Sequence, residues 1–289
     1  MRTQKFMHKR IYILVILAFF AVNISVNDIY AQKMPKQKST KISKRYKTKE
    51  AKYEAAKAFY TKGAYLSAAQ LFEEVYPLYI TSPEAENILF LFASSYMKNH
   101  DYQMAAFHFK DYLRRYPQSH RTEEACFLAA KCYYMNSPDY NLDQSDSHLA
   151  IEDLEVFLNS FPGSQFNEEA NAMVDSLRNK LAKKDFKIAC MYYNTGSYQA
   201  AQVSFNNLFK DYPYSPFTEE ALLYLVKNNY EYAQKSIESK KLLRYQLTID
   251  TKNKLRAHNA ESKFLPEAEK LAAEAQKKID KLLENNKVN

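Results

Sequence analysis

Residues 189–205 read ACMYYNTGSYQAAQVSF, and this segment places small and aromatic side chains at fixed offsets around a single glycine. The residues that define the pattern are Ala189, Tyr192, Gly196, Tyr198, Ala201 and Phe205. Small residues let two antiparallel helices approach closely, and aromatic rings fill the holes between neighbouring helix pairs. The segment therefore predicts a helix–turn–helix hairpin that buries its apolar face only by stacking on similar hairpins.

The same pattern recurs along the chain. The first copy has Ala56, Phe59, Gly63, Tyr65, Ala68 and Phe72, and the second has Ala93, Tyr96, Tyr102, Ala105 and Phe109, with His100 at the glycine position. One slot holds Phe59, Tyr96, Tyr133, Tyr192 and Asn229, which are separated by 37, 37, 59 and 37 residues. This periodicity is typical of tetratricopeptide repeats. We expect an all-α superhelix of about five hairpins, closed by a C-terminal capping helix with an apolar stripe.

The gap of 59 residues is 22 residues longer than the other gaps. Eight of these extra residues lie before Ala150, in residues 138–148, and the other fourteen lie before Phe186. Fourteen residues make about four helical turns, so they should lengthen a helix without rotating its face. His100 predicts a strained turn or a different one, because glycine or asparagine is preferred there. The fifth copy has Thr248 and Lys252 in place of alanine and an aromatic residue, which we attribute to solvent on one side of a terminal repeat.

The ends of the repeats are also alike. An aromatic residue and a proline are followed by a serine, and acidic residues stand at the start of the next helix. These are Glu123 and Glu124, Glu168 and Glu169, and Glu219 and Glu220. We expect their carboxylates to satisfy unpaired N–H groups and to stabilise the helix dipole.

The N-terminus resembles an export signal at residues 1–31, with a basic start, an apolar run and a small-residue end at Ala31. An uncleaved membrane anchor is the alternative, although the apolar run breaks at Asn23. Residues 1–49 have a net charge of +11 and residues 50–289 of −3. Residues 32–48 are therefore predicted to form a basic, disordered tether, or a contact with an anionic surface.

Catalytic patterns are absent from the sequence. No pair of histidines has the i, i+3 or i, i+4 spacing of a helix-borne metal site, and three glycines leave little room for phosphate-binding loops. We predict a non-enzymatic protein with no catalytic, cofactor or metal site, no nucleic-acid partner and no small-molecule substrate. Cys126 and Cys132 point to different sides of one predicted helix, so free thiols are expected.

What remains is a binding surface. The first helices of such hairpins line the concave side of the superhelix. Aromatic residues with interspersed lysines there would suit an extended peptide that ends in an aromatic residue and a free carboxylate. Each ring could instead pack between repeats. The peptide-binding candidates are Tyr53, Lys57, Tyr60, Phe90, Met97, Phe127, Lys131 and Tyr134.

Residues 49–284 resemble the BamD family, outer-membrane assembly lipoproteins with five tetratricopeptide repeats, in the form found in Bacteroidetes. The most discriminating motifs are the insertion SPDYNLDQ at 137–144 and the segment ESKK at 238–241, which generic repeat proteins lack. Further support comes from Tyr65, Ala68 and Phe72, from Phe109 with YPQS at 116–119, and from KKDF at 183–186.

The resemblance implies a periplasmic scaffold on the inner side of the outer membrane, which binds unfolded barrel proteins and the barrel-inserting subunit. It implies a client-binding half at 49–165 (repeats 1–3) and a complex-docking half at 166–289 (the long helix, repeats 4–5 and the cap). The family's lipidated cysteine has no counterpart near the signal, since the first cysteine is Cys126, so we expect attachment by partners, by the tether or by an uncleaved signal. A general envelope adaptor for secretion or wall remodelling is the alternative function.

Overall fold

The computed structural model describes residues 45–288, with side chains to residue 285, so the predicted signal and most of the predicted tether lie outside the described residues. Within that range the regular structure is helical. The α-helices in chain order are α1 (Lys49–Thr61), α2 (Tyr65–Val75), α3 (Ala85–Lys98), α4 (Tyr102–Arg115), α5 (Thr122–Asn136), α6 (Ser145–Ser160), α7 (Asn167–Asn194), α8 (Tyr198–Asp211), α9 (Thr218–Gln234), α10 (Glu238–His258) and α11 (Leu265–Val288).

Consecutive helices pack as antiparallel hairpins, and each hairpin packs on the next. The first helices of the five repeats are α1, α3, α5, α7 and α9, and α11 covers the last hairpin by packing on both α9 and α10. The tetratricopeptide superhelix and its capping helix are thereby confirmed. The alanines of the pattern, such as Ala56, Ala68 and Ala201, are fully buried where the helices cross.

The turn of the second hairpin has the same geometry as its glycine-containing counterparts. Gly63 and Gly196 have φ of 79° and 73°, and His100 adopts 63° in the equivalent place. A side chain with a Cβ is disfavoured in this left-handed region. Of the two outcomes expected for His100, the strained turn is therefore correct.

The two insertions face each other. The fourteen extra residues lengthen α7 into a continuous helix of 28 residues, as predicted. Lys180 on this helix donates hydrogen bonds to the carbonyl of Pro138 at 3.0 Å and to Ser137 Oγ at 2.6 Å. Lys184 donates to the carbonyl of Leu142 at 2.6 Å. The extension of the fourth repeat thus holds the insertion of the third.

Helix α7 also joins two hydrophobic cores. Its first half, through Met173 and Leu177, packs with α5 and α6. Its second half, through Ala182 and Phe186, packs with α8 and α9. The boundary between these two cores therefore lies inside α7, and the predicted functional halves at 49–165 and 166–289 stay a prediction.

The acidic residues lie in the first turns of α5, α7 and α9, where they interact favourably with the positive end of the helix dipole as expected, but they do not act as N-caps. Helices α5, α7 and α9 have no side-chain hydrogen bond at the N-cap. Glu123 instead accepts a hydrogen bond from Ser164 at 2.5 Å, and Glu219 accepts one from Ser262 at 2.6 Å. These serines belong to the turns before the next first helix, so the carboxylates join successive repeats.

The fifth repeat is not a solvent-exposed end. Thr248 is fully buried, and Asn229 donates to Thr251 Oγ1 at 3.1 Å inside the hairpin. The capping helix covers this repeat, so its polar residues form a buried, hydrogen-bonded core. Our attribution of the degenerate pattern to solvent exposure is therefore wrong.

Candidate functional site

We call the surface of the first helices α1, α3, α5, α7 and α9 the inner wall. All eight candidate residues lie on the first three of these helices. They differ in burial. Phe90 and Phe127 are core residues, with 8% and 2% of their surface exposed, and the other six are half-buried.

Phe90 and Phe127 are held on several sides. Phe90 packs edge-on against Phe109 and Tyr112, with centroids 5.6 and 5.5 Å away. Phe127 stacks on Phe166 at 4.6 Å. Little ring surface is left for a partner. These two rings therefore pack between repeats, which was the alternative interpretation of each aromatic candidate.

Tyr53 and Tyr60 belong to the inner wall of the first repeat. The Tyr53 ring lies 5.6 Å from that of Tyr79, and its hydroxyl accepts a hydrogen bond from Asn87 at 3.2 Å. Burial raises the pKa of the Tyr60 hydroxyl, and a hydrogen bond with Ser94 opposes this shift. Tyr60 is therefore a neutral group that can donate or accept a hydrogen bond at physiological pH.

The two candidate lysines already have acidic partners. Lys57 forms an ion pair with Glu54 at 2.6 Å and lies 4.6 Å from the centre of the Tyr53 ring. The bond to Glu54 raises the pKa of Lys57. Lys131 forms an ion pair with Glu169 at 2.7 Å, across the groove between α5 and α7. Both charges are thus shared with this chain's own carboxylates.

Met97 and Tyr134 line the same wall between these groups. Met97 packs half-buried against the core of the first three repeats. Tyr134 packs against the core that joins the third repeat to α7. Whether any of the six half-buried candidates contacts a peptide stays a prediction.

Sequence reasoning missed Arg121, which precedes α5 and lies over the Phe90 ring at 4.7 Å. Its guanidinium donates a hydrogen bond to Asn87 Oδ1 at 3.1 Å. It was overlooked because it stands outside the helical slots from which the candidates were taken. Arg121 follows Ser119 by two residues, and this spacing is the sequence signal that could have identified it.

The groups that catalysis or metal binding would use are buried or dispersed. Burial raises the pKa of the free thiols of Cys126 and Cys190 to about 11 and of Cys132 to about 12. These thiols are protonated at neutral pH and are therefore poor nucleophiles. Within the described part of the chain, no three His, Cys, Asp or Glu side chains are grouped so that they could hold a metal ion.

From residue 45 to residue 288, no helix has both the length and the apolar character that crossing a membrane would require.

Two curated relatives are outer membrane protein assembly factors by name. The chain is 24% identical over 166 residues to "Outer membrane protein assembly factor BamD" of Caulobacter vibrioides, covering 57% of this chain and 54% of the relative. It is 26% identical over 179 residues to "Putative outer membrane protein assembly factor BamD" of Aquifex aeolicus, covering 61% and 58%. The chain thus spans a little over half the length of these relatives.

Among solved structures, a tetratricopeptide repeat protein from Parabacteroides merdae aligns with 78% of this chain and 98% of its own, at 13% identity and a TM-score of 0.33. A family model described as "YfiO: Outer membrane lipoprotein" matches residues 45–243, from the start of the described chain into α10. This match covers well over half of the chain and, with the relatives above, confirms the resemblance to BamD. The chain belongs to the YfiO family of outer membrane lipoproteins, as a relative of the BamD assembly factors.

Proposed function

We propose that this chain is a non-enzymatic scaffold of the machinery that assembles β-barrel proteins in the outer membrane. It works on the periplasmic face of that membrane, binding unfolded barrel proteins and the subunit that inserts them. The family match over residues 45–243 is the observation that carries the proposal. The names of the curated relatives favour this function over a general envelope adaptor.

The inner wall of repeats 1–3 is the client-binding side in this proposal. Half-buried tyrosines supply rigid rings with a polar tip, which suits an extended chain with aromatic side chains. Tyr53 and Tyr60 lie on the same helix, α1, and Tyr134 on α5 continues the wall in the third repeat. An unfolded barrel strand of alternating apolar residues would place its side chains against these rings.

The second half, from α7 to the cap, is the side on which other assembly subunits dock. The insertion at 137–144 and the α7 extension hold each other by Lys180 and Lys184. Such a braced joint keeps the two halves in one orientation, which a protein that positions a client against another subunit requires.

A scaffold function also fits the chemistry of the described residues. The buried thiols are protonated, and the carboxylates Glu123 and Glu219 are engaged by serines between repeats. These groups stabilise the array, and the inner wall presents rings and hydrogen-bonding groups instead of a reactive centre.

Two experiments test the proposal. A tagged chain purified from crosslinked envelopes should retain a large barrel protein. In addition, peptides that end in an aromatic residue with a free carboxylate should bind the purified protein, and Tyr60→Ala should weaken that binding about tenfold. Tyr214→Ala is the matched control, because Tyr214 is 98% exposed on the turn after α8, away from the inner wall of repeats 1–3. Failure of both the co-purification and the peptide binding would refute the proposal.

A further inference from the structure

The junctions between repeats share a serine and the residue two positions after it. We call Ser119, Ser164, Ser215 and Ser262 the junction serines. In each case the serine Oγ accepts the backbone N–H of the second residue on, at 3.0 to 3.3 Å. That second residue is Phe166, Phe217 or Phe264 at three junctions and Arg121 at the fourth.

The phenylalanines at this position have a clear packing role. Phe166 stacks on Phe127 at 4.6 Å with an interplanar angle of 9°. Phe217 stacks on Phe186 at 5.7 Å with an angle of 12°. Each ring thereby covers the first aromatic ring of the preceding repeat. Arg121 covers Phe90 in the same way, with its guanidinium carbon 4.7 Å from the ring centre. Packing alone would be satisfied by a phenylalanine here.

The guanidinium of Arg121 is held in place by a chain of side chains from the two preceding repeats. Tyr53 of the first repeat accepts a hydrogen bond from Asn87 of the second, at 3.2 Å. The amide oxygen of Asn87 accepts the bond from Arg121, at 3.1 Å. One N–H group is used in this bond, and an arginine has five, so donors remain for a second acceptor.

Among the described residues, no carboxylate lies within ion-pair distance of Arg121, although Lys57 and Lys131 on the same wall each have one. The carboxylate of Glu86 interacts electrostatically with Arg121, but its Oε1 atom accepts hydrogen bonds from Ser119 and Tyr112. A half-buried cation without an anion is unfavourable in an isolated protein. An arginine with a fixed plane and free donors is well suited to bind a carboxylate from outside.

We propose that Arg121 is the receptor for the chain-terminal carboxylate of a bound polypeptide, with the Phe90 ring below it. A single terminal carboxylate fits better than an acidic segment, because Glu86 in the first turn of α3 and Glu124 in the first turn of α5 already make this part of the surface acidic. Tyr60 on α1 forms a hydrogen bond with Ser94 of α3, and its half-buried hydroxyl interacts electrostatically with Arg121. This inference rests on the proposed function, since it names the atom of the client that the inner wall would hold.

The array itself supplies the best test variant. Arg121→Phe installs the residue found at the other three junctions, so stacking on Phe90 is kept and the charge is removed. Arg121→Lys keeps a charge but loses the planar fork. We expect both variants to unfold at a temperature close to that of the unchanged protein.

Binding is measured by fluorescence anisotropy with one peptide in two forms, a free carboxylate and a C-terminal amide. The unchanged protein should bind the acid about tenfold more tightly than the amide, as expected for hydrogen bonds to a charged group. Arg121→Phe should bind the two forms equally, and Arg121→Lys should give an intermediate ratio. Equal binding of acid and amide by the unchanged protein would overturn the inference and leave the proposed function standing.

A small probe tests the receptor independently of any client. N-acetylphenylalanine should shift the NMR signal of the Arg121 Nε–H group in a saturable way, whereas its amide should not. Lack of a shift would overturn the inference even if long peptides bind. A shift without peptide binding would support the receptor and contradict the client-binding function.

Discussion

Ser119 Oγ donates a hydrogen bond to Glu86 Oε1 at 2.5 Å, and this bond joins the turn before α5 to the first turn of α3. The equivalent pairs Ser164–Glu123 and Ser262–Glu219 join two further junctions. The remaining junction, at Ser215, lacks the bond. On α7 the position that corresponds to Glu86 is Ala182, because the fourteen-residue extension moves the acidic start of the helix away. Ser215 is therefore a natural control for the other three junction serines.

Replacing Ser119 by alanine should lower the free energy of unfolding by about 1–2 kcal/mol, because a hydrogen bond to a charged, half-buried carboxylate is lost. Ser215→Ala should have a smaller effect, since both serines accept an N–H but only Ser119 donates to a carboxylate. Urea denaturation at neutral pH measures both. Equal losses in the two variants would contradict the role assigned to the serine–glutamate pair.

The same pair predicts a pH dependence. The hydrogen bond from Ser119 lowers the pKa of Glu86 below its usual 4.5. A carboxylate whose pKa is lowered by folding stabilises the protein above its usual pKa, and this contribution disappears as the pH falls through the lowered value. The difference between the unchanged protein and Ser119→Ala should therefore be largest at pH 6–7 and shrink below pH 4.5. A difference that is constant with pH would contradict this explanation.

His108 should make the protein less stable as the pH falls from 7 to 5. Its ring is buried between Phe92, at 4.1 Å, and Tyr96, at 5.4 Å. Burial lowers the pKa of His108 from 6.5 to about 4, against the opposing effect of Asp111 and Asp101. The unfolded chain thus takes up a proton in this range that the folded protein does not.

The linked loss should be about 2 kcal/mol between pH 7 and pH 5, where few carboxylates titrate. His108→Phe removes the titrating group and keeps an aromatic ring, so its stability should change less over the same range. His148→Phe is a control at an exposed position. Equal pH dependence of the unchanged protein and His108→Phe would contradict the prediction.

His100→Gly should stabilise the protein by about 1 kcal/mol, because it relieves a left-handed backbone conformation that disfavours a Cβ. The substitution also removes the hydrogen bond between His100 Nδ1 and the Tyr102 hydroxyl, at 2.7 Å, and this loss offsets a part of the gain. Thermal and urea unfolding measure the change.

Gly63→Ala is the reciprocal test. A Cβ at Gly63 would have no heavy atom within 4 Å, so any loss of stability would come from the backbone alone, at φ of 79°. We expect a loss of about 1 kcal/mol. If both substitutions left stability unchanged, the strain assigned to this turn would be absent.

Lys180→Met should loosen the insertion without unfolding the array. The substitution keeps a long apolar stem and removes the hydrogen bonds to Ser137 and Pro138. Hydrogen exchange at residues 137–144, including the Leu142 amide that bonds to Asp139 at 3.0 Å, should become faster. Lys187→Met on the same helix is the control, since Lys187 makes no hydrogen bond to the insertion. Unchanged exchange in the insertion would show that other contacts hold it.

The positions of the hairpins could be predicted from the chain because each depends on local patterns. Small residues at Ala56 and Ala201, with glycine or His100 in the turn, specify where two helices cross and reverse. The length of α7 followed from counting turns against Phe186. Such features need information from one repeat only.

The contacts between repeats could not be predicted in this way. Glu86 and Ser119 are 33 residues apart, and Glu219 and Ser262 are 43 residues apart, so neither pair is visible in a helical window. Burial of Thr248 depends on where the capping helix lies. The placement of Arg121 over Phe90 also depends on two repeats together.

Local patterns in the chain are sufficient to predict a stack of helical hairpins with a lengthened fourth repeat, because helix formation and hairpin closure are set by neighbouring residues. The packed repeats are needed to show that Phe90 and Phe127 are core rings and that no carboxylate between residues 45 and 285 lies within ion-pair distance of Arg121. The reason is that burial and ion pairing are properties of the surfaces that adjacent repeats present to each other, and these surfaces exist only once the hairpins have stacked.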